Sequence, residues 1–130
     1  MLKRVLTLVF ALSLALASQA LAGEQALTID GDHGKLAAIL QVPDGKESYP
    51  IVIICHGFTS QKEYLLLKTL ADDLEAEGIA SLRFDFNGHG ASGGRFEDMT
   101  VVNELSDAKK VFEYIKNNLK QVNQIALAGH

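Results

Sequence analysis

One cysteine, Cys55, among 130 residues leaves no partner for an internal disulfide. It ends the apolar run Ile51-Val52-Ile53-Ile54, where a small buried hydrophobe is the expected role for a thiol. The adjacent His56 does not make a thiol–imidazole pair, because neighbouring strand residues point to opposite faces. None of the four histidines (His33, His56, His89, His130) is paired at zinc-ligand spacing, and no cysteine cluster supports them, so no metal site is expected. Basic clusters are missing too, which argues against a nucleic-acid partner. Internal repeats and low-complexity stretches are absent. No apolar run reaches the roughly 20 residues that span a bilayer.

The longest such run, Val5 to Leu16, is broken only by Thr7 and Ser13 and follows the basic start Lys3-Arg4. Ala20-Leu21-Ala22 closes it with a small-x-small site. That order predicts a secretory signal peptide over residues 1–22, cleaved after Ala22, with export to a periplasm or beyond the cell and no membrane association afterwards. Gly23, not a cysteine, stands directly after the cleavage site, so no lipid attachment is expected there. The mature chain would run from Gly23 to His130, with 10 basic residues against 16 acidic ones once Lys3 and Arg4 are removed, a formal charge of −6. This balance favours solubility.

Residues 23–130 read as β-β-β-α-β-α-β. Gln25 to Asp30 and Lys35 to Val42 form a hairpin around Gly31-Asp32-His33-Gly34. Pro43-Asp44-Gly45 ends it. Ile51 to Cys55 is a β-branched run of the kind buried on both faces in a parallel sheet. Ser60-Gln61-Lys62-Glu63 has the capping-box pattern and predicts a helix start at Ser60. Leu67, Leu70, Ala71 and Leu74 supply that helix's apolar face, and Gly78 its end. Ile79 to Phe86 is a further strand, followed by a glycine-rich loop, Asn87 to Gly94. A second helix covers residues 100–118, with Val101, Leu105, Ala108, Phe112, Ile115 and Leu119 as the expected buried stripe. Gln124 to Ala128 is the last strand. Strands alternating with helices predict a mostly parallel α/β sheet with an antiparallel N-terminal hairpin.

Three segments at strand ends carry chemistry, where open α/β sheets place it. Cys55-His56-Gly57-Phe58 lies between a buried strand and a helix. A loop of this kind can aim a backbone N–H at a developing oxyanion, with Gly57 allowing close approach. The second segment runs from Arg83 to Gly94. Its Gly88-x-Gly90-x-x-Gly93 matches a dinucleotide fingerprint, but Arg95-Phe96-Glu97-Asp98 intervenes before any helix, so no nucleotide cofactor is expected. Its Gly90-Ala91-Ser92-Gly93-Gly94 matches G-x-S-x-G, but Ser92 is separated from its strand by a flexible run, and a nucleophile elbow needs strand, serine and helix in direct succession. Asp85, Gly88, His89 and Gly90 therefore read as a structural turn beside the site. The third segment is Gln124 to His130. A short apolar strand runs into Gly129-His130, which fits the first two positions of an elbow whose serine would come next.

His56-Gly57-Phe58-Thr59 with Lys62-Glu63, Leu82 to Gly90 with Ser92 and Gly94, Phe96 to Thr100, and Ala128-Gly129-His130 together resemble the bacterial cinnamoyl/feruloyl esterases of the α/β-hydrolase superfamily. The likeness spans the mature chain. It implies a Ser-His-Asp esterase acting on small hydroxycinnamate or similar acyl esters, with no cofactor. It assigns an oxyanion N–H to Phe58, loop support to His56 and Gly57, and the elbow start to Gly129 and His130. The serine, aspartate and histidine of the triad would all follow His130, so the chain reads as an N-terminal half. Two other readings remain open: a truncated product without catalysis, and a lysophospholipase-like or peptidase-like hydrolase on the same fold. The sequence specifies no oligomeric state.

Overall fold

The structure is a computed structural model and describes residues 23–130. Residues 1–22, expected from the sequence to be a signal peptide, lie outside the described residues. Five strands form one sheet in the order β1-β2-β4-β3-β5: β1 is Gly23–Gly31, β2 Gly34–Val42, β3 Tyr49–Cys55, β4 Ala80–Phe84 and β5 Val122–Gly129. β1 and β2 pair as a hairpin closed at Gly31↔Gly34, and β2 pairs antiparallel with β4. β3 lies parallel to both β4 and β5. The element order implied a mostly parallel α/β sheet with an antiparallel hairpin; the hairpin is present, and the sheet is mixed because β2 also joins β4 antiparallel.

Two helices cover opposite faces, and the period-2 alternation of the strands supplies an apolar surface to each. Ile51 and Ile53 of β3 join Leu82 and Phe84 of β4 in the larger core, which Val111 and Ile115 of helix α2 (Val101–Asn118) complete. On the other face Ile54 meets Leu67 and Ala71 of helix α1 (Leu65–Ala76), with Val52, Leu70 and Leu74 packed around them. Each such side chain taken fully from water contributes about 1.5–3 kcal/mol. Gly78 ends α1 with φ 78°. Its N–H donates to the Glu75 carbonyl and that of Ile79 to the Leu74 carbonyl, a Schellman closure.

Three local expectations are corrected. Helix α1 starts at Leu65, not Ser60, and its N-cap Tyr64 makes no side-chain cap. Two successive turns, Gly57 to Ser60 and Gln61 to Tyr64, precede the helix instead, and Glu63 reaches forward to Lys68 at 3.3 Å. A buried contact at Lys62, described below, prevails over the capping box. Helix α2 is rotated relative to its expected stripe. Val101, Leu105 and Phe112 are exposed, and the inward face is Asn103, Asp107, Val111 and Ile115. Asp107 on that face accepts the Asn87 N–H from the loop after β4, and Asn103 donates to Asp107, which sets the rotation. Cys55 is only partly buried, though it packs against the larger core.

Candidate active site

Strands β4, β3 and β5 are parallel neighbours. The segments leaving them therefore emerge along one edge of the sheet, and this brings together all three sequence-predicted segments.

After β3, the chain makes a tight turn in which Ser60 N–H donates to the Gly57 carbonyl at 3.1 Å. Phe58 and Thr59 occupy its centre. Thr59 has φ 59°, a left-handed value uncommon for a β-branched residue and typical of functional turns. Gly57 is required by proximity, because a Cβ there would lie 2.7 Å from the His130 carbonyl oxygen. His130 N–H in turn donates to the Cys55 carbonyl. Gly57, Phe58, Thr59, Ser60, Gln61, Tyr64 and His130 line an open pocket of about 580 Å³.

His56 is buried beneath this turn. Its Nε2 accepts the Phe86 N–H at 3.1 Å, and its Nδ1 lies 2.8 Å from the Gly57 carbonyl. Acceptance at one nitrogen and donation at the other define a neutral imidazole. Burial pushes its pKa below the ordinary value, partly opposed by the Gly57 carbonyl and by Asp85. The ring packs against Phe86 and His89, and His89 continues to Phe96, which meets the exposed Phe58 ring. His56 is thus a tie between two loops, with neither nitrogen free to act as a base.

After β4 the chain is held by polar side chains. Asp85 is fully buried. One carboxylate oxygen accepts the Lys62 N–H at 2.6 Å, and the other accepts the Lys62 ammonium at 2.8 Å and the Ala91 N–H at 2.9 Å. Gly90, at φ 48°, passes so close to this carboxylate that no side chain fits there. Asn87 joins the loop to the β1–β2 turn, accepting from His33 N–H and donating to the carbonyls of Gly34 and Gly93. Its own N–H is received by Asp107 of α2 at 2.8 Å. Gly88 takes φ 81°, and a Cβ there would meet the Arg95 carbonyl at 2.7 Å. Ser92 Oγ accepts the Ala37 N–H and donates to the Asp85 carbonyl, so its hydroxyl serves as a staple. His89 Nδ1 lies 3.2 Å from the Asn87 carbonyl.

Burial raises the pKa of Asp107 against the opposing effect of the Asn87 N–H. Burial likewise pushes the Cys55 thiol up to about 11, so this cysteine holds its proton at neutral pH and is a poor nucleophile. Among the described residues, no group of His, Cys, Asp and Glu side chains could hold a metal ion.

Sequence reasoning missed Lys62 and Asp107. The spacing of Lys62 is that of any solvent-facing lysine in a helix start. Asp107 had a usable signal, since residues 103, 107, 111 and 115 recur every four positions and end in Val111 and Ile115.

With this geometry in place, the comparisons with known proteins are decisive for the family. The family model described as serine aminopeptidase, S33, matches residues 46–130. The chain belongs to the α/β-hydrolase family. Est1E from Butyrivibrio proteoclasticus, solved with ferulic acid bound, is similar at 40% identity and a TM-score of 0.77, over 81% of this hydrolase chain and 42% of that chain. An α/β serine hydrolase homologue from Coxiella burnetii is 30% identical with a TM-score of 0.73, over 85% and 53% of the two chains. An uncharacterized 31.7 kDa Escherichia coli protein from the traX-finO intergenic region is 36% identical over 79 residues, 61% of this chain and 27% of that protein. The hydrolase chain thus spans about half or less of the length of each of these relatives.

Proposed function

We propose that this chain is the N-terminal half of a secreted serine carboxylester hydrolase acting on hydroxycinnamate or similar acyl esters. One observation carries the reading. The Phe58 turn and the Gly129-His130 end of β5 meet at a single pocket on the C-terminal edge of the parallel strands, with Gly57 packed directly against His130. A serine directly after His130 would stand at the end of β5 beside the backbone of Phe58. Its hydroxyl would attack the ester carbonyl, a histidine would take and return the proton, and an aspartate would orient that histidine. The Phe58 N–H would stabilise the oxyanion, a task whose removal typically costs 10²–10³-fold in kcat. The likeness to a hydrolase solved with ferulic acid supports an aryl acyl group. Export rests on the sequence pattern of residues 1–22.

The test begins with the coding sequence after His130, where Ser-x-Gly is expected. The full-length product is then assayed with methyl ferulate, short aliphatic esters, a lysophospholipid and aminoacyl anilides. Saturable hydrolysis with the highest kcat/KM on the hydroxycinnamate supports the proposal. A preference for the anilides would shift the reading to a peptidase, and a stop codon after His130 would remove catalysis from this product.

A further inference from the structure

We infer that Lys62 is a positioning residue for the Phe58 oxyanion donor, acting through its buried ion pair with Asp85. This rests on the esterase reading above. The turn that carries Phe58 is tied down on both sides to consecutive residues at the exit of β4. On one side His56 Nε2 accepts the Phe86 N–H. On the other, Asp85 accepts both the backbone N–H and the ammonium of Lys62. Between the two ties lie Gly57, Phe58 and the left-handed Thr59.

Asp85 is itself immobilised from behind. Ala91 N–H donates to the same oxygen that receives the ammonium, Gly90 leaves no free space beside the carboxylate, and Ser92 donates to the Asp85 carbonyl. The pair is the one ion pair among the described residues with both side chains under a tenth exposed, at 9% for Lys62 and 0% for Asp85. A buried charge pair with little solvent screening holds its geometry tightly, and losing one partner strands the other charge. The carboxylate stranded by loss of the ammonium would turn or recruit water, and the Lys62 N–H contact would be released with it. Of its two ties to the exit of β4, the turn would then keep only the one through His56. Lys62 touches neither the pocket nor any reacting atom; its effect passes through the placement of one amide.

The experiment compares Lys62→Met and Lys62→Arg with the wild type in the full-length hydrolase. Two readouts are taken: kcat and KM on methyl ferulate, and backbone amide exchange of residues 57–62. For Lys62→Met, kcat should fall about 10²-fold, the loss typical of a 1 Å misplacement, with KM changed less than about twofold. Exchange in the turn should accelerate while β3 and β4 stay protected, and Lys62→Arg should recover part of both losses. A folded Lys62→Met with wild-type kcat and a protected turn overturns the inference. So does a loss of protection spread over the whole sheet that Lys62→Arg does not relieve. Should the wild type hydrolyse no ester, the esterase reading fails, and the exchange of the turn alone decides whether the pair holds it.

Discussion

The backbone of Gly57 and the carbonyl of His130 approach so closely that a Cβ on Gly57 would sit 2.7 Å from the carbonyl oxygen and 3.2 Å from the His130 ring nitrogen Nδ1. The turn after β3 and the end of β5 are therefore fitted to one another. Gly57→Ala must push them apart. In the full-length hydrolase it should destabilise by about 1–3 kcal/mol, as overpacking does. Denaturant unfolding checks the stability, and the same variant should lose most of its kcat on methyl ferulate.

His56 makes stability depend on pH with a definite sign. Its pKa is depressed in the fold from an ordinary 6.5. Between that value and the depressed one, the unfolded chain binds a proton that the native chain does not, so stability falls as pH drops through this window. Above 6.5 the contribution is constant. Thermal melts of wild type and His56→Gln between pH 7.5 and 4.5 should show a steeper acid loss in the wild type. Equal slopes would contradict the neutral, doubly bonded imidazole.

Asp107 works in the opposite direction. Burial raises its pKa above 3.8. As pH falls toward 3.8 the native chain takes up this proton first, so the group adds stability on acidification. Asp107→Asn keeps an oxygen for the Asn87 N–H and removes the titration. The wild type should therefore gain on Asp107→Asn as the pH falls, which paired melts at pH 7 and pH 4 would measure.

Asn87 bridges the β1–β2 turn and the loop after β4 through three side-chain hydrogen bonds. Asn87→Ala leaves the partners of a buried amide unpaired, at about 1–3 kcal/mol for such a group. Chemical unfolding of this variant should show the loss, whereas Asn123→Ala, an exposed position whose amide meets only Ser48, should stay within about 0.5 kcal/mol of wild type.

Residues 23–130 expressed by themselves should hydrolyse no aryl ester and should aggregate. Strand β5 is an edge of the sheet, and Leu127 on it is 66% exposed. An apolar unpaired edge invites edge-to-edge pairing. Light scattering of a sample of confirmed mass, together with a methyl ferulate assay, checks both halves of this expectation.

The amino-acid sequence by itself determined the order of elements, the hairpin, the Gly78 helix end and the three strand-end segments. Each of these is written in neighbouring residues: period-2 runs such as Ile51 to Cys55, helical spacing such as Leu67, Ala71 and Leu74, or glycine where a left-handed turn is needed. What only the tertiary structure decided are the features that join residues far apart in the chain. Lys62 meets Asp85, which lies 23 positions on, and this cancelled a capping box whose local pattern was intact. Asp107 meets the Asn87 amide across 20 positions, and this turned helix α2 so that Val101, Leu105 and Phe112 face outward. Local patterns report what a segment prefers in isolation. A buried charge or amide must find its partner wherever the fold brings one, and that requirement outweighs a cap or an apolar stripe.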